Sequence, residues 1–131
     1  MLASSTLLRD RAPLSGRRIL LVEDEYFLAD DMSREFRVLG AEIAGPAGDI
    51  DDAHRMTNDG ILDGAVLDVN VHNIMIFPIA RELRARNVPF VFTSGYDAIA
   101  IGKEFENVPL WEKPIDVRAM AHRLADMILQ R

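Results

Sequence analysis

The sequence predicts an α/β fold: a doubly wound, parallel sheet of five strands with helices on both faces, a (βα)5 arrangement. Short apolar runs of strand length alternate with longer amphipathic stretches from Arg17 onward. No Asn-Gly or similar hairpin signal lies between adjacent apolar runs, so each strand is expected to return through a crossover. Strands joined by crossovers are parallel, and helices cover both faces of such a sheet.

The length and composition predict one compact domain. A chain of 131 residues with 49% hydrophobic and 27% charged residues is long enough to bury a core, and no second domain is needed. Residues 1–16 are largely polar and end in Pro13-Leu14-Ser15-Gly16, which favours a flexible leader. We expect residues 17–131 to form the domain.

Charge and cysteine content argue against several kinds of partner. The formal net charge is -6 and the 15 basic residues are scattered, which disfavours nucleic acid. The chain has no cysteine and therefore no disulfide and no thiol nucleophile. Its first residues lack the apolar core of a secretory signal, and its longest apolar stretch, residues 74–80, is far shorter than the roughly 20 residues of a membrane span. We expect a cytoplasmic protein with no membrane partner.

Residues 19–58 predict the first two strand and helix pairs. Residues 19–22 form an apolar strand, and the helix that follows ends at Gly40 and has its apolar positions at Leu28, Met32, Phe36 and Leu39. Residues 42–45 form a weak second strand. Either Asp49 or Asp51 caps the second helix, which runs through Met56 and is stopped by Asn58-Asp59-Gly60.

The remaining elements follow the same alternation. Residues 61–67 predict the third strand, residues 88–92 the fourth and residues 108–111 the fifth. A third helix contains Ala80 and Leu83 and ends near Arg86-Asn87, whereas residues 97–105 form at most a short, marginal helix. The last helix carries an apolar stripe at Val117, Met120, Ala121, Leu124 and Ile128.

Polar side chains come directly after, or at the end of, four of these strands. Glu23 and Asp24 follow the first strand, Asp68 follows the third, Ser94 the fourth and Lys113 the fifth. The carboxyl ends of parallel strands meet at one edge of a sheet, which is where open α/β sheets bind their ligands. The sequence therefore predicts a site at this edge.

The chemistry of these side chains suggests a magnesium-dependent phosphoryl site. Three carboxylates in one crevice repel one another unless cations are present, and Lys113 supplies only one positive charge. Oxygen ligands, with no His or Cys nearby in the sequence pattern, favour Mg²⁺. Asp68 ends a central strand and is the best nucleophile; Asp24 would hold the metal, while Ser94 and Lys113 would contact phosphoryl oxygens.

On these motifs the chain resembles the receiver domain of two-component response regulators, a CheY-like and flavodoxin-like fold, across residues 17–130. The motifs, in the family's order and spacing, are Leu21-Val22-Glu23-Asp24-Glu25, Leu67-Asp68-Val69-Asn70, Ser94-Gly95 and Lys113-Pro114. The resemblance implies a phosphoprotein that takes part in its own phosphorylation without being an enzyme. It also implies Mg²⁺ as cofactor, a sensor histidine kinase as partner and output through a further protein, with a homodimer as one option for assembly.

The resemblance also implies a role for each strand-end residue. It makes Asp68 the phosphoacceptor and Lys113 the ammonium of the site, followed by a cis Lys113-Pro114 bond. It makes Ser94 the switch hydroxyl. The metal ligands it implies are Asp24, Asp68, the backbone carbonyl of Asn70, and Glu23 as the other member of the acidic pair.

Three features depart from the commoner family pattern. The acidic pair is Glu-Asp instead of Asp-Asp, residues 71–75 lack the usual Pro-Gly loop, and Leu110 replaces the usual switch aromatic. The segment Phe92-Thr93-Ser94-Gly95-Tyr96 is instead similar to the motif of the FATGUY subgroup of receivers. In that subgroup Tyr96 would be the switch aromatic, and atypical kinases of alphaproteobacterial type would be the partners.

Other interpretations stay open at this point. A receiver-like module could bind partners without phosphorylation, and a phosphatase with an aspartate nucleophile could use Asp68, although Asn70 cannot act as that family's general acid. The switch hydroxyl could belong to Thr93 instead of Ser94. His54, His72 and His122 show no ligand spacing and predict surface or structural roles; only His72 lies near the rim of the site.

Overall fold

The structure is a computed structural model that describes residues 12–95 and 101–130. Within these residues the strands are β1 (Arg18–Val22), β2 (Glu42–Ala47), β3 (Gly64–Asp68), β4 (Asn70–Val71), β5 (Ile74–Met75), β6 (Phe90–Ser94) and β7 (Leu110–Glu112). The α-helices are α1 (Tyr26–Val38), α2 (Ile50–Asn58), α3 (Phe77–Ala85) and α4 (Val117–Gln130), and Lys103–Phe105 form a single 3-10 turn. None of the helices in this described part of the chain has the length and apolarity needed to cross a membrane.

Five of the strands form one parallel sheet in the order β2-β1-β3-β6-β7. Counted along the chain among these five, the order is 2-1-3-4-5, so the predicted doubly wound fold is confirmed. Strand β3 is central, with β1 on one side and β6 on the other. This order brings the ends of β1, β3, β6 and β7 next to one another.

Apolar side chains cover both faces of the sheet, as expected for parallel strands. Leu20 and Val22 of β1 join the cluster under α2 and α3, whereas Ile19 and Leu21 join the cluster under α1 and α4. Residues that alternate along a strand point to opposite faces, which explains this division. The predicted stripe of α4 faces the second cluster through Met120, Ala121, Leu124 and Ile128.

The helix boundaries follow local signals in the sequence. The side chain of Asp49 accepts a hydrogen bond of 2.8 Å from the backbone N–H of Asp52, so Asp49 and not Asp51 is the cap of α2. Gly40 follows the end of α1 with a positive φ of 94°. Its missing side chain matters, because a Cβ there would lie 3.1 Å from the backbone nitrogen of Ser15.

The third strand begins later than predicted, at Gly64 instead of Ile61. Ile61 is 83% exposed and contributes nothing to the core. Asp63 explains the late start: its carboxylate accepts a hydrogen bond of 2.9 Å from the backbone N–H of Arg18, which holds this stretch as a loop beside β1. The fifth strand of the sheet also begins later, at Leu110 instead of Val108.

A short antiparallel hairpin, β4–β5, begins two residues after Asp68 and was not predicted. His72 and Asn73 form its turn with φ values of 50° and 66°, the left-handed conformation that two-residue hairpin turns require. The five strands of the main sheet are parallel as expected, and this hairpin lies outside them, in the segment that lacks the family's usual loop. His-Asn is not one of the common Gly-containing signals for such a turn, and each strand is only two residues long.

Three further predictions concern the leader, the Lys113-Pro114 bond and the marginal helix at residues 97–105. Leu14 is fully buried, and its backbone N–H donates to the carbonyl of Leu39 at 2.8 Å, so residues 12–16 pack on the domain; the rest of the predicted leader lies outside the described residues. The bonds Lys113-Pro114, as expected, and Gly45-Pro46 are cis. Of the marginal helix at residues 97–105, residues 97–100 lie outside the described chain and Lys103–Phe105 form the 3-10 turn.

Candidate functional site

The predicted strand-end residues lie at one edge of the sheet. Asp68 is the last residue of β3 and Ser94 the last of β6, while Glu23 and Asp24 follow β1 directly and Lys113 follows β7. The backbone N–H of Lys113 donates to the carbonyl of Ser94 at 2.8 Å, which fixes the end of β7 against β6.

Lys113 joins the two buried carboxylates of the edge. Its Nζ donates hydrogen bonds to Asp68 Oδ2 at 3.0 Å and to Glu23 Oε2 at 3.2 Å. A third carboxylate oxygen, Glu25 Oε1, lies 3.6 Å from the same ammonium on an exposed side chain. The sequence shows Glu25 as the residue after the acidic pair, and no local signal predicts its contact with Lys113.

Glu23, Asp24 and Asp68 form a group of three carboxylates whose nearest oxygen atoms all lie within 4.8 Å of one another. Glu23 is 2% exposed and Asp68 is 4% exposed. One ammonium therefore faces three carboxylates, and the group carries more negative charge than Lys113 can neutralise. A buried excess of charge is unfavourable, which is the reason that this edge favours a further cation.

Burial shifts the pKa of the two buried carboxylates upward. Loss of hydration raises the pKa of Glu23 from 4.5 to about 7; the Glu25 backbone N–H opposes this shift, and the neighbouring charge of Asp68 adds to it. Burial also raises the pKa of Asp68, although its hydrogen bond from Lys113 works against the shift. For Lys113, burial alone disfavours the ammonium, but the hydrogen bonds and charges of Asp68 and Glu23 outweigh it and raise its pKa to about 12.

The three carboxylates fit a hard divalent cation. All of the ligand atoms they offer are oxygens, which is the donor type that Mg²⁺ takes in proteins. Glu23 Oε1 is buried and has no hydrogen-bond partner among residues 12–95 and 101–130, even though an ionised oxygen in such a place needs one. A bound cation would satisfy it.

Two hydroxyls lie at the end of β6. Thr93 and Ser94 are both buried, and neither hydroxyl has a hydrogen-bond partner in the described part of the chain. Thr93 pairs with Asp68 in the register of the sheet, and Ser94 follows Thr93 along the chain. Tyr96, the predicted switch aromatic, lies outside the described residues.

The β4–β5 hairpin forms the rim of the site beside Asp68. The backbone N–H of Asn70 donates to Asp68 Oδ1 at 3.2 Å, and the side-chain oxygen of Asn70 accepts from the backbone N–H of Asn73 at 2.8 Å. His72 Nδ1 lies 3.6 Å from Asp24 Oδ2. The sequence places His72 near the rim, and the unpredicted turn brings it beside Asp24; the premise that no histidine lies near the carboxylates was wrong.

Two cavities differ in their relation to this edge. A cavity of about 360 Å³ adjoins the acidic group and is lined in part by Glu23, Asp24 and Tyr26. A larger one, of about 620 Å³, has Pro89 and Pro109 in its wall, where β6 and β7 begin. The larger cavity thus lies at the opposite edge of the sheet and takes no part in the site.

Comparison with solved structures identifies the family. The chain is 29% identical to SdrG from Sphingomonas melonis Fr1, over 90% of this chain and 98% of that chain, with a TM-score of 0.76. It is also 29% identical to the receiver domain from the hybrid histidine kinase CckA, over 85% of this chain and 98% of that chain, with a TM-score of 0.68. The BeF3-activated conformation of SdrG from Pseudomonas melonis Fr1 is 32% identical, over 85% of this chain and 95% of that chain, with a TM-score of 0.67.

The chain belongs to the response-regulator receiver domains. No family model and no curated protein matches it. Receiver domains are typically phosphoacceptors and not enzymes, and they take part in two-component signalling with histidine kinases. In this receiver domain, the acidic group of Glu23, Asp24 and Asp68 is consistent with the family's magnesium site.

Proposed function

We propose that this receiver domain accepts a phosphoryl group on Asp68 from the phosphohistidine of a sensor histidine kinase. The observation that carries the proposal is the contact of Lys113 Nζ with Asp68 Oδ2 at 3.0 Å, inside a buried group of three carboxylates. Lys113 holds its ammonium against Asp68, the proposed nucleophile, and the surrounding carboxylates can hold a cation. Positive charges placed in this way suit phosphoryl transfer.

The transfer uses one carboxylate oxygen of Asp68 as nucleophile. That oxygen forms a bond to phosphorus while the bond between phosphorus and the kinase histidine nitrogen breaks, and the nitrogen keeps the electron pair of the broken bond. Lys113 stays positively charged, since its pKa is about 12, and can pair with an oxygen of the incoming group. The product is an aspartyl phosphate on the receiver domain and an unphosphorylated histidine on the kinase.

Asp24, Asp68, Glu23 and the backbone carbonyl of Asn70 would hold Mg²⁺. When bound, the ion neutralises charge on the transferring phosphoryl group. The buried Glu23 Oε1, which has no hydrogen-bond partner among the described residues, supports a role for this residue in holding the cation, either directly or through water. Asp24, next to it on the chain, is the more accessible of the acidic pair.

Ser94 would act as the switch hydroxyl that responds to the phosphoryl group. Its burial at the end of β6, with its hydroxyl unpartnered among the described residues, supports this role, and Thr93 shares both properties. The response would shift the population of surface conformations and so change affinity for a protein partner. The motif from Phe92 to Tyr96 supports placement in the FATGUY subgroup, with Tyr96 as switch aromatic and an atypical alphaproteobacterial kinase as donor.

Intact mass after incubation with acetyl phosphate and Mg²⁺ tests the proposal. We expect the parent to gain one phosphoryl group, Asp68→Asn to gain none, and Asp51→Asn, a change of the same type on exposed α2, to behave like the parent. Absence of any adduct on the parent with every phosphodonor would contradict the proposal and favour a module that binds without phosphorylation. Steady turnover of a small phosphoester would instead indicate a phosphatase.

A further inference from the structure

The Lys113 ammonium has one N–H group that is not committed to a buried carboxylate. An ammonium carries three N–H donors. Two of them donate to Asp68 Oδ2 at 3.0 Å and to Glu23 Oε2 at 3.2 Å. The third has no hydrogen-bond acceptor among residues 12–95 and 101–130, and the carboxylate oxygen that faces it is Glu25 Oε1, at the ion-pair distance of 3.6 Å. This N–H group is therefore the one that can turn to an incoming anion.

Glu25 differs from the other two carboxylates around Lys113 because water reaches it. Its side chain is 61% exposed, whereas Glu23 and Asp68 are buried. A buried carboxylate that loses its ammonium stays without compensation, but an exposed carboxylate is rehydrated at little cost. Glu25 is thus the partner of Lys113 that an incoming phosphoryl oxygen displaces most easily.

The start of α1 fixes the position from which Glu25 reaches Lys113. The backbone N–H of Glu25 donates to Glu23 Oε2 at 3.0 Å, and Glu25 is the N-cap residue of α1. A polar side chain at this position commonly accepts a hydrogen bond from an amide of the first helical turn, but Glu25 makes no such bond. Its carboxylate lies beside the ammonium of Lys113 instead. The contact therefore starts from an anchored backbone and leaves the helix uncapped.

We propose that Glu25 is a positioning residue that holds the third N–H group of Lys113 until a phosphoryl group takes its place, and that it thereby disfavours small anionic phosphodonors. The inference rests on the proposed function, because Lys113 makes both the contact that is lost and the one that replaces it. The Glu25 carboxylate repels the oxygens of an acyl phosphate and competes with them for the same ammonium. No bond to Glu25 forms or breaks; its carboxylate returns to water when a phosphoryl oxygen pairs with Lys113.

Three variants separate the contact with Lys113 from the effect of charge in general. Glu25→Gln removes the charge and keeps the length of the side chain. Glu25→Asp keeps the charge but is one methylene shorter, which draws the carboxylate away from the ammonium. Glu112→Gln makes the same change of charge on the exposed residue just before Lys113, whose carboxylate has no contact with the ammonium in the described part of the chain. Urea unfolding checks that every variant is folded.

The affinity of the full chain for beryllofluoride, an anionic mimic of the phosphoryl group, tests the inference without phosphoryl transfer. Fluorine-19 NMR in the presence of Mg²⁺ measures the bound fraction directly. We expect Glu25→Gln to bind about fivefold more tightly than the parent, the size expected for unit charges about 4 Å apart in water. Glu25→Asp should bind about twofold more tightly or better, and Glu112→Gln should match the parent. The rate of phosphorylation by acetyl phosphate, followed by intact mass, should rise in the same order.

Four results would overturn the inference: equal affinity in the parent and Glu25→Gln, parent-like affinity in Glu25→Asp, an equal gain in Glu112→Gln, or no beryllofluoride bound by any of these proteins. The phosphorylation assay separates this failure from failure of the proposed function. If Asp68 gains a phosphoryl group equally fast in the parent and in Glu25→Gln, only the role of Glu25 is overturned. If beryllofluoride affinity depends on Glu25 but no donor phosphorylates Asp68, only the proposed function fails.

Discussion

Two groups of charged side chains in this protein use the same chemistry in opposite settings. At the strand ends, Lys113 contacts Glu23 and Asp68, which are buried. On the surface, Arg81 donates two hydrogen bonds of 2.7 and 2.8 Å to Glu104, joining α3 to the 3-10 turn. Both groups have good hydrogen-bond distances. Distances alone therefore do not separate the strand-end site from a surface ion pair.

The carboxylate pKa values show what does distinguish them. The hydrogen bond from Arg81 lowers the pKa of Glu104, as expected for an exposed pair with balanced charge. Burial raises the pKa of Glu23 and of Asp68 although an ammonium lies beside them. The strand-end group therefore carries more negative than positive charge, whereas the two charges of the surface pair balance. Perturbed pKa values of this kind concentrate at functional sites.

Removal of the Lys113 ammonium should have the largest effect on the free energy of unfolding. Lys113→Met leaves Glu23 and Asp68 buried without a cation, and loss of one partner of a buried ion pair costs about 3 kcal/mol or more. We expect that loss in the free energy of unfolding at pH 8 without metal, and a smaller loss at pH 5, where Glu23 is protonated. Urea unfolding measures both. Lys103→Met, in the exposed 3-10 turn, is the control, and an equal loss at the two pH values would contradict the explanation.

Mg²⁺ should stabilise the folded protein because it adds positive charge beside the strand-end carboxylates. At a free concentration about ten times its dissociation constant, a ligand that binds only the folded state adds about 1.4 kcal/mol to the free energy of unfolding. We expect this gain for the parent and a much smaller one for Asp24→Asn. Thermal unfolding with Mg²⁺ and with EDTA measures it, and an unchanged gain in Asp24→Asn would remove Asp24 from the metal site.

Glu23→Gln should stabilise the protein when no metal is present. The folded-state pKa of Glu23, about 7, lies above its ordinary value of 4.5, so its contribution to stability is fully present below pH 4.5 and is lost as pH rises toward 7. Gln carries no charge at any of these pH values. At pH 8 in EDTA we therefore expect a gain on the order of 1 kcal/mol, which falls toward zero near pH 4.5. A loss of stability at pH 8 would show that the contact with Lys113 dominates.

The surface pair should matter least. Glu104→Gln removes the charge from an exposed carboxylate, and exposed ion pairs contribute little because water and salt screen them. The lowered pKa of Glu104 gives stability that is present above pH 4.5 and lost as pH falls through the folded value. We expect a change in Tm close to the error of a thermal scan at pH 7. A change as large as that of Lys113→Met would reverse the comparison.

The sheet and the strand-end residues could be predicted because their signals are local. Apolar runs that stop at Glu23, Asp68 and Lys113 are visible in the sequence, and parallel pairing then brings the ends together. Asp49 could be named as a cap, although only the structure decided between it and Asp51. These signals depend on residue type and spacing within a few positions.

The remaining features depend on contacts between distant residues. Burial of Leu14 against α1 depends on how the chain returns at Leu39, and the Arg81 to Glu104 pair joins residues 23 positions apart. The His72-Asn73 turn lacks Gly, so its left-handed conformation has no strong local signal. The sequence places His72 only near the rim of the site, and the hairpin is what brings it beside Asp24.

The hydrogen bond from the Asn70 backbone N–H to Asp68 Oδ1 makes this amide a spectroscopic reporter. The proton faces the carboxylate itself, so the proposed phosphorylation of Asp68 would change the charge on its acceptor. In a proton–nitrogen correlation spectrum the Asn70 resonance should move upfield when the acceptor loses charge, and its amide should exchange with solvent deuterium more quickly. One backbone signal would thus follow the proposed phosphorylation of Asp68 in real time, without any label beyond nitrogen-15.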